Sequence, residues 1–226
     1  LGTLVVERYN PKKVYLGADP WLFNDIPLND RWKSISNWYY SGLLSITKGK
    51  PIKLEEKYYL QTSLLSSLYN FITLSSSVAR KKESEWLVKR SFDGSIIYDT
   101  SFANLDDKHK IIGINTLVKR YKDYIKANDN SILLFKQLII WMKSKDIDVN
   151  IVLSPYHPLF YEKMVSYGVD INKAEGLFMS IANDLNVNII GSYNPNYIGC
   201  NSDDFYDLIH PKGLCLATAF IISHSY

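Results

Sequence analysis

Short apolar runs ending in glycine or proline alternate with longer stretches of apolar residues at helical spacing, most clearly toward the carboxyl end of the chain. Lys13–Gly17 (KVYLG) reads as a buried strand running into a turn, preceded by Leu4–Tyr9 as the end of a helix. Residues 25–50, with Pro27 and Asn29 near their start, read as loop-rich. Leu54–Leu74 carries Leu, Tyr and Phe at helical spacing and predicts a helix. Arg90–Asp99 (RSFDGSIIYD) sets an Asp-Gly turn before β-branched residues, the signal of a hairpin or strand. Ile112–Ala127 predicts an amphipathic helix, and Ser131–Lys145 a second one capped by Ser131 with basic residues in its last turn. Asp148–Leu153 (DVNIVL) is a strand stopped by Ser154-Pro155, and Ile171–Leu185 is a helix. Val187–Gly191 (VNIIG) is a strand, and Pro211–Ser223 is a final helix with proline at its first position.

Helix, strand, helix, strand, helix in this order calls for right-handed crossovers and parallel strands. The prediction is a single α/β domain over residues 1–226, a three-layer α/β/α sandwich with a mainly parallel sheet. Ligands of such sheets bind beyond the carboxyl ends of the strands. Three segments follow the three best strands and are expected to converge there. They are Gly17-Ala18-Asp19-Pro20-Trp21, Ser154-Pro155-Tyr156-His157-Pro158 and Gly191-Ser192-Tyr193-Asn194.

Composition narrows the function classes. Of 226 residues, 46% are hydrophobic and 22% charged, which fits a folded core and not a disordered chain. A net charge of +3 does not call for nucleic acid. No eighteen-residue apolar run is present, so no membrane span is expected. The 17 Tyr and 5 Trp matter more, because rings with polar edges line carbohydrate surfaces as well as filling cores. Cys200 and Cys215 make neither a disulfide framework nor a zinc site, but one bridge is open to them in an oxidising compartment. No metal-ligand spacing, phosphate loop or dinucleotide fingerprint occurs, so neither a metal nor a cofactor is expected. LGTLVVERYN is not a signal peptide, since Glu7 and Arg8 interrupt its apolar run. Leu1 suggests a chain trimmed at its amino end, which leaves open an upstream membrane tether. The expected setting is extracytoplasmic or membrane-anchored, with a cytoplasmic one kept open.

The strongest chemical pattern is Asp207-Leu208-Ile209-His210 just before the final helix. This spacing lets the carboxylate accept the imidazole Nδ1 proton and leaves Nε2 as a general base. The plainer alternative makes Asp207 a cap and His210 a surface ring. Ser154 and His157 would suit a nucleophile and its base if they met. Otherwise Ser154 stabilises a loop and His157 faces the cleft. His109 and His224 carry no pattern.

Asp-x-x-His ahead of a carboxyl-terminal helix, in a chain of this α/β order, resembles the last block of the SGNH/GDSL hydrolase superfamily. The strand Val14-Tyr15-Leu16 with Gly17-Ala18-Asp19 falls where that family has its first block. The segment at Ser154–Pro158 looks like a strand-end region of bacterial members that modify cell-surface glycans. The resemblance implies a catalytic set of His210, Asp207 and Asp19, with His157, Tyr156, Ser154 and Trp21 contacting a carbohydrate or polysaccharide. It implies an enzyme that adds or removes an acyl-type substituent on a bacterial surface polysaccharide.

The chain departs from the family at its nucleophile, where Asp19 stands instead of Ser. No Gly-x-Asn-Asp block supplies an oxyanion-hole Asn, and Asn37 is a candidate by order only. A carboxylate attacking an ester gives a mixed anhydride, a poor acyl intermediate. Three roles for Asp19 therefore stay open beside a structural Asx-Pro turn. It is a nucleophile toward phosphoryl or alkyl carbon, as in a phosphoryl-type transferase. It positions a substrate hydroxyl for His210. Or the domain is inactive and only binds glycan.

Overall fold

The computed structural model describes residues 2–23, 36–49, 88–90, 96–98, 106, 108, 111–122 and 127–222. The chain forms two compact units, Leu1–Lys50 with Leu105–Tyr226, and Pro51–Asn104. In the second unit Val88–Arg90 (β2) and Ile96–Tyr98 (β3) pair antiparallel, Val88 opposite Tyr98. The Asp-Gly turn read between them from the sequence lies outside the described residues. The helix expected over Leu54–Leu74 lies outside the described residues.

The first unit is a mixed α/β structure around a small parallel sheet. Lys13–Gly17 (β1), Asp148–Leu153 (β4) and Asn188–Gly191 (β5) lie in the order β1-β4-β5. Val14 aligns with Val149, and Ile151 with Ile189. Its helices are Gly2–Tyr9 (α1), Ser36–Lys48 (α2), Ile114–Lys122 (α3), Asp129–Lys143 (α4), Pro158–Ser166 (α5), Ile171–Leu185 (α6), Pro195–Ile198 (α7) and Gly213–Ile222 (α8). The central strand β4 is almost wholly buried, as its apolar sequence requires. β1, read as a buried strand, instead leaves Lys13, Tyr15 and Gly17 exposed.

Burial follows the helical period. α6 turns Ile171, Ala174, Phe178, Ile181 and Ala182 inward, and α4 buries Ile139 and Met142. These two helices pack on each other and on β4, while α8 packs on β5. Local chemistry moved several predicted boundaries. α4 begins at Asp129 because Asn128, not Ser131, is its cap, with Oδ1 accepting from the backbone N–H groups of Asn130 and Ser131. α2 occupies part of the stretch read as loop. A Cβ on its Gly42 would strike Thr3 Oγ1, so the missing side chain is what lets α1 and α2 lie close. The last helix starts at Gly213, because Pro211 is held in a bridge with Phe205.

Gly191 ends β5 at φ +81°, and a Cβ there would collide with the Leu153 carbonyl oxygen. Strain in the left-handed region adds about 1–3 kcal/mol to that collision. Gly191→Ala should therefore lower the midpoint of chemical denaturation well beyond the effect of an exposed-site alanine.

Candidate active site

The three strand-end segments converge and are fastened to one another through the backbone. Ala18 N–H donates to Val152 O at 2.9 Å, tying the end of β1 to β4. Tyr156 N–H donates to Tyr193 O (3.2 Å), tying the loop after β4 to the loop after β5. Tyr193 is fully buried, and its Oη donates to Ala18 O at 2.7 Å, beside Asp19. His157 N–H donates to Leu208 O (3.1 Å), which brings in the Asp207–His210 segment. That segment is itself closed by Tyr206 N–H to His210 O (2.9 Å) and Lys212 N–H to Asp204 O (2.7 Å).

Asp207 pairs with His210 but does not cap the last helix, which starts only at Gly213; it closes a turn of its own instead. Its Oδ1 accepts from the backbone N–H groups of Ile209 and His210, both at 2.8 Å, and so forms the turn. Its Oδ2 accepts from His210 Nδ1 at 2.7 Å. The turn sets the ring, and the ring presents Nε2 as the remaining proton-transfer atom. His210 stays 49% exposed at its side chain.

Asp19 lies close enough to His210 for each charge to alter the other's proton affinity. Asp19 is exposed as a residue, but the protein packed around its carboxylate pushes its pKa up, and His210 pulls it partly back. The hydrogen bond that His210 donates to Asp207 raises the His210 pKa against the effect of partial burial, with smaller increments from the charges of Asp207 and Asp19. Partial burial raises the Asp207 carboxyl, but hydrogen bonds from His210 and from the backbone outweigh it and hold the pKa below the ordinary 3.8.

The sign for stability follows. The His210 contribution is complete below pH 6.5 and fades as pH rises through its folded value. The Asp207 contribution is complete above pH 3.8 and fades as pH falls through its folded value. NMR titration of the His210 ring should give a pKa above 6.5. Asp207→Asn should lower it markedly, and Asp19→Asn should lower it less.

An aromatic wall adjoins Asp19. Trp21 stacks on Tyr121 (centroids 4.3 Å apart) and tilts against Tyr156, which stacks on Tyr193. Tyr156 is 2% exposed, and its Oη finds no hydrogen-bond partner among the described residues. Burial, with Asp19 adding to it, keeps that phenol protonated.

The second expected constellation does not form. No hydrogen bond joins Ser154 to His157 among the described residues, and Ser154 is half-buried just past β4. His157 does not face the cleft. Pro158 starts α5 at once, so His157 is its cap residue, fully buried with its ring edge-on to Phe205 at 5.6 Å. Its carbonyl oxygen accepts from Phe160 and Tyr161 N–H, and its role is to join the loop after β4 to the 205–210 segment.

Sequence reading placed Tyr193 only as part of the segment after the last strand, and it missed Glu175. Glu175 Oε1 accepts from Ser192 Oγ (2.7 Å), and Oε2 accepts from Tyr193 N–H (3.1 Å), which fixes the loop after β5. The place of Tyr193 just after its strand carried that signal, but Glu175 looks like any helix-surface acid. Cys200 and Cys215 form the disulfide that the sequence left optional, enclosing the segment that carries Asp207 and His210. Among the described residues, no three His, Cys, Asp or Glu side chains gather at metal-binding distance. No helix there is long and apolar enough to cross a membrane. Comparison with protein-family models, curated proteins and solved structures gave no match.

Proposed function

We propose that this protein is an SGNH-hydrolase-like enzyme that moves an acyl-type group on or off a surface polysaccharide. The carrying observation is that Asp19, after the first strand, lies within electrostatic reach of an Asp207–His210 pair that precedes the last helix. Asp19 accepts a hydrogen bond from a neighbouring sugar hydroxyl and so holds the attacking hydroxyl against His210. The hydroxyl oxygen attacks the acyl carbonyl carbon of an activated donor while its proton passes to His210 Nε2. Collapse of the tetrahedral adduct breaks the bond to the leaving group, which takes the proton back from Nε2. With water as acceptor, the same groups hydrolyse the ester. Asp207 stabilises the imidazolium that forms in between. A disulfide around the site supports an extracytoplasmic setting, where such bonds persist.

His210 is a base only when unprotonated, so turnover should rise with pH through a value above 6.5. Asp19→Asn should shift that limb to lower pH while lowering its plateau. Asp19→Ser supplies a hydroxyl that His210 can activate. It should hydrolyse p-nitrophenyl acetate faster than the parent protein and faster than Asp19→Ser with His210→Ala. A rate no higher than that of the double variant would refute the assignment of Asp19 to the nucleophile position.

A further inference from the structure

A second feature lies on the other side of the loop after β5. A cavity of about 290 Å³ opens there, near the lower end of the roughly 300–1,000 Å³ usual for small-molecule sites. One stripe of α6 lines it, namely Asn172, Glu175, Gly176 and Met179, at helical spacing and opposite in role to the stripe buried in the core. Tyr161 and Tyr197 add two phenol rings.

The hydrogen-bonding capacity of the lining is only partly used. Tyr161 Oη donates to Asn172 Oδ1 at 2.7 Å, which leaves the Asn172 amide hydrogens for a ligand. Asn194 Oδ1 is held by Asn196 N–H, which leaves its amide hydrogens likewise. Each Glu175 oxygen accepts one bond from the loop and keeps a second lone pair. The lining thus combines apolar ring faces, outward amide donors and a carboxylate acceptor. It contains no lysine or arginine. An anionic ligand would meet Glu175 with nothing to offset it. A pyranose without anionic substituents fits, with C–H faces for the tyrosines and hydroxyls for the amides and carboxylate.

We infer that this cavity is a saccharide-binding subsite for neutral sugars. Tyr193 joins it to the candidate active site, because its N–H bonds Glu175 while its Oη bonds Ala18 O. The inference rests on the proposed function only for the bound sugar being part of the substrate. Binding itself is independent of turnover.

Gly176 gives a clean test, since a Cβ added there meets nothing within 4 Å and replacing a helical glycine does not weaken the helix. The parent protein, Gly176→Leu and Tyr197→Ala should be titrated calorimetrically. The probes are neutral trisaccharides of glucose, xylose, galactose and N-acetylglucosamine, with trigalacturonate as the anionic control. At least one neutral probe should bind the parent. Gly176→Leu, at unchanged Tm, and Tyr197→Ala should weaken it tenfold or more, and trigalacturonate should not bind. No binding by any neutral probe, unchanged binding in Gly176→Leu, or equal binding of trigalacturonate would overturn the subsite. Binding without turnover would leave the subsite standing and count against the proposed reaction.

Discussion

His210→Ala should lower acyl transfer or release on an O-acetylated oligosaccharide by about 10²–10⁴-fold, the usual worth of a positioned acid–base group. The loss should come with little change in stability. The side chain is half exposed, and an exposed ion pair such as the one with Asp207 contributes about 1 kcal/mol or less. Asp207→Asn should fall within the same range, because Oδ2 no longer accepts the Nδ1 proton and the ring is free to take another orientation. The loss there should be in kcat, since Asp207 does not touch substrate. His109→Ala, at a position with no chemical pattern, is the control. Equal loss in His109→Ala, or unfolding of His210→Ala, would assign His210 a structural role.

Elements with strong periodicity were legible in the sequence. Asp148–Leu153 lies where DVNIVL predicts it, and Ile171–Leu185 matches its expected bounds because its apolar residues recur every three or four positions without interruption. The convergence of the three strand-end segments followed from parallel pairing alone. What failed depended on partners distant in sequence. α2 looks like loop until Gly42 meets Thr3, and its packing, not its propensity, makes it helix. His157 looks like a cleft residue because it follows a strand. Its burial depends on Leu208, fifty-one residues later, accepting its N–H. The Asp207–His210 pair was legible because both partners lie within one turn. Its neighbour Asp19 was legible as a strand-end residue, and its pairing with His210 only through the resemblance that joined the two ends of the chain.

The disulfide predicts the second large effect. Cys200 and Cys215 are 15 residues apart, with Cα atoms 5.6 Å from each other. Closing a loop of that length restricts the unfolded chain by about 3 kcal/mol. In the folded state both cysteines belong to a small buried cluster with Ile198, Phe205 and Ala219. Phe205 also backs His157 and is bridged to Pro211, so the cluster holds both ends of the 205–211 segment. The Cys200→Ala, Cys215→Ala double variant should therefore lose about 3 kcal/mol in denaturant titration. Dithiothreitol should destabilise the parent to a similar extent and leave the double variant unaffected. If the staple also positions the imidazole, the double variant should lose turnover under conditions where it remains folded, with the His210 ring titrating closer to 6.5 as its bond to Asp207 loosens. Full turnover in the folded double variant would show that the backbone bonds from Tyr206 to His210 and from Lys212 to Asp204 hold the segment alone.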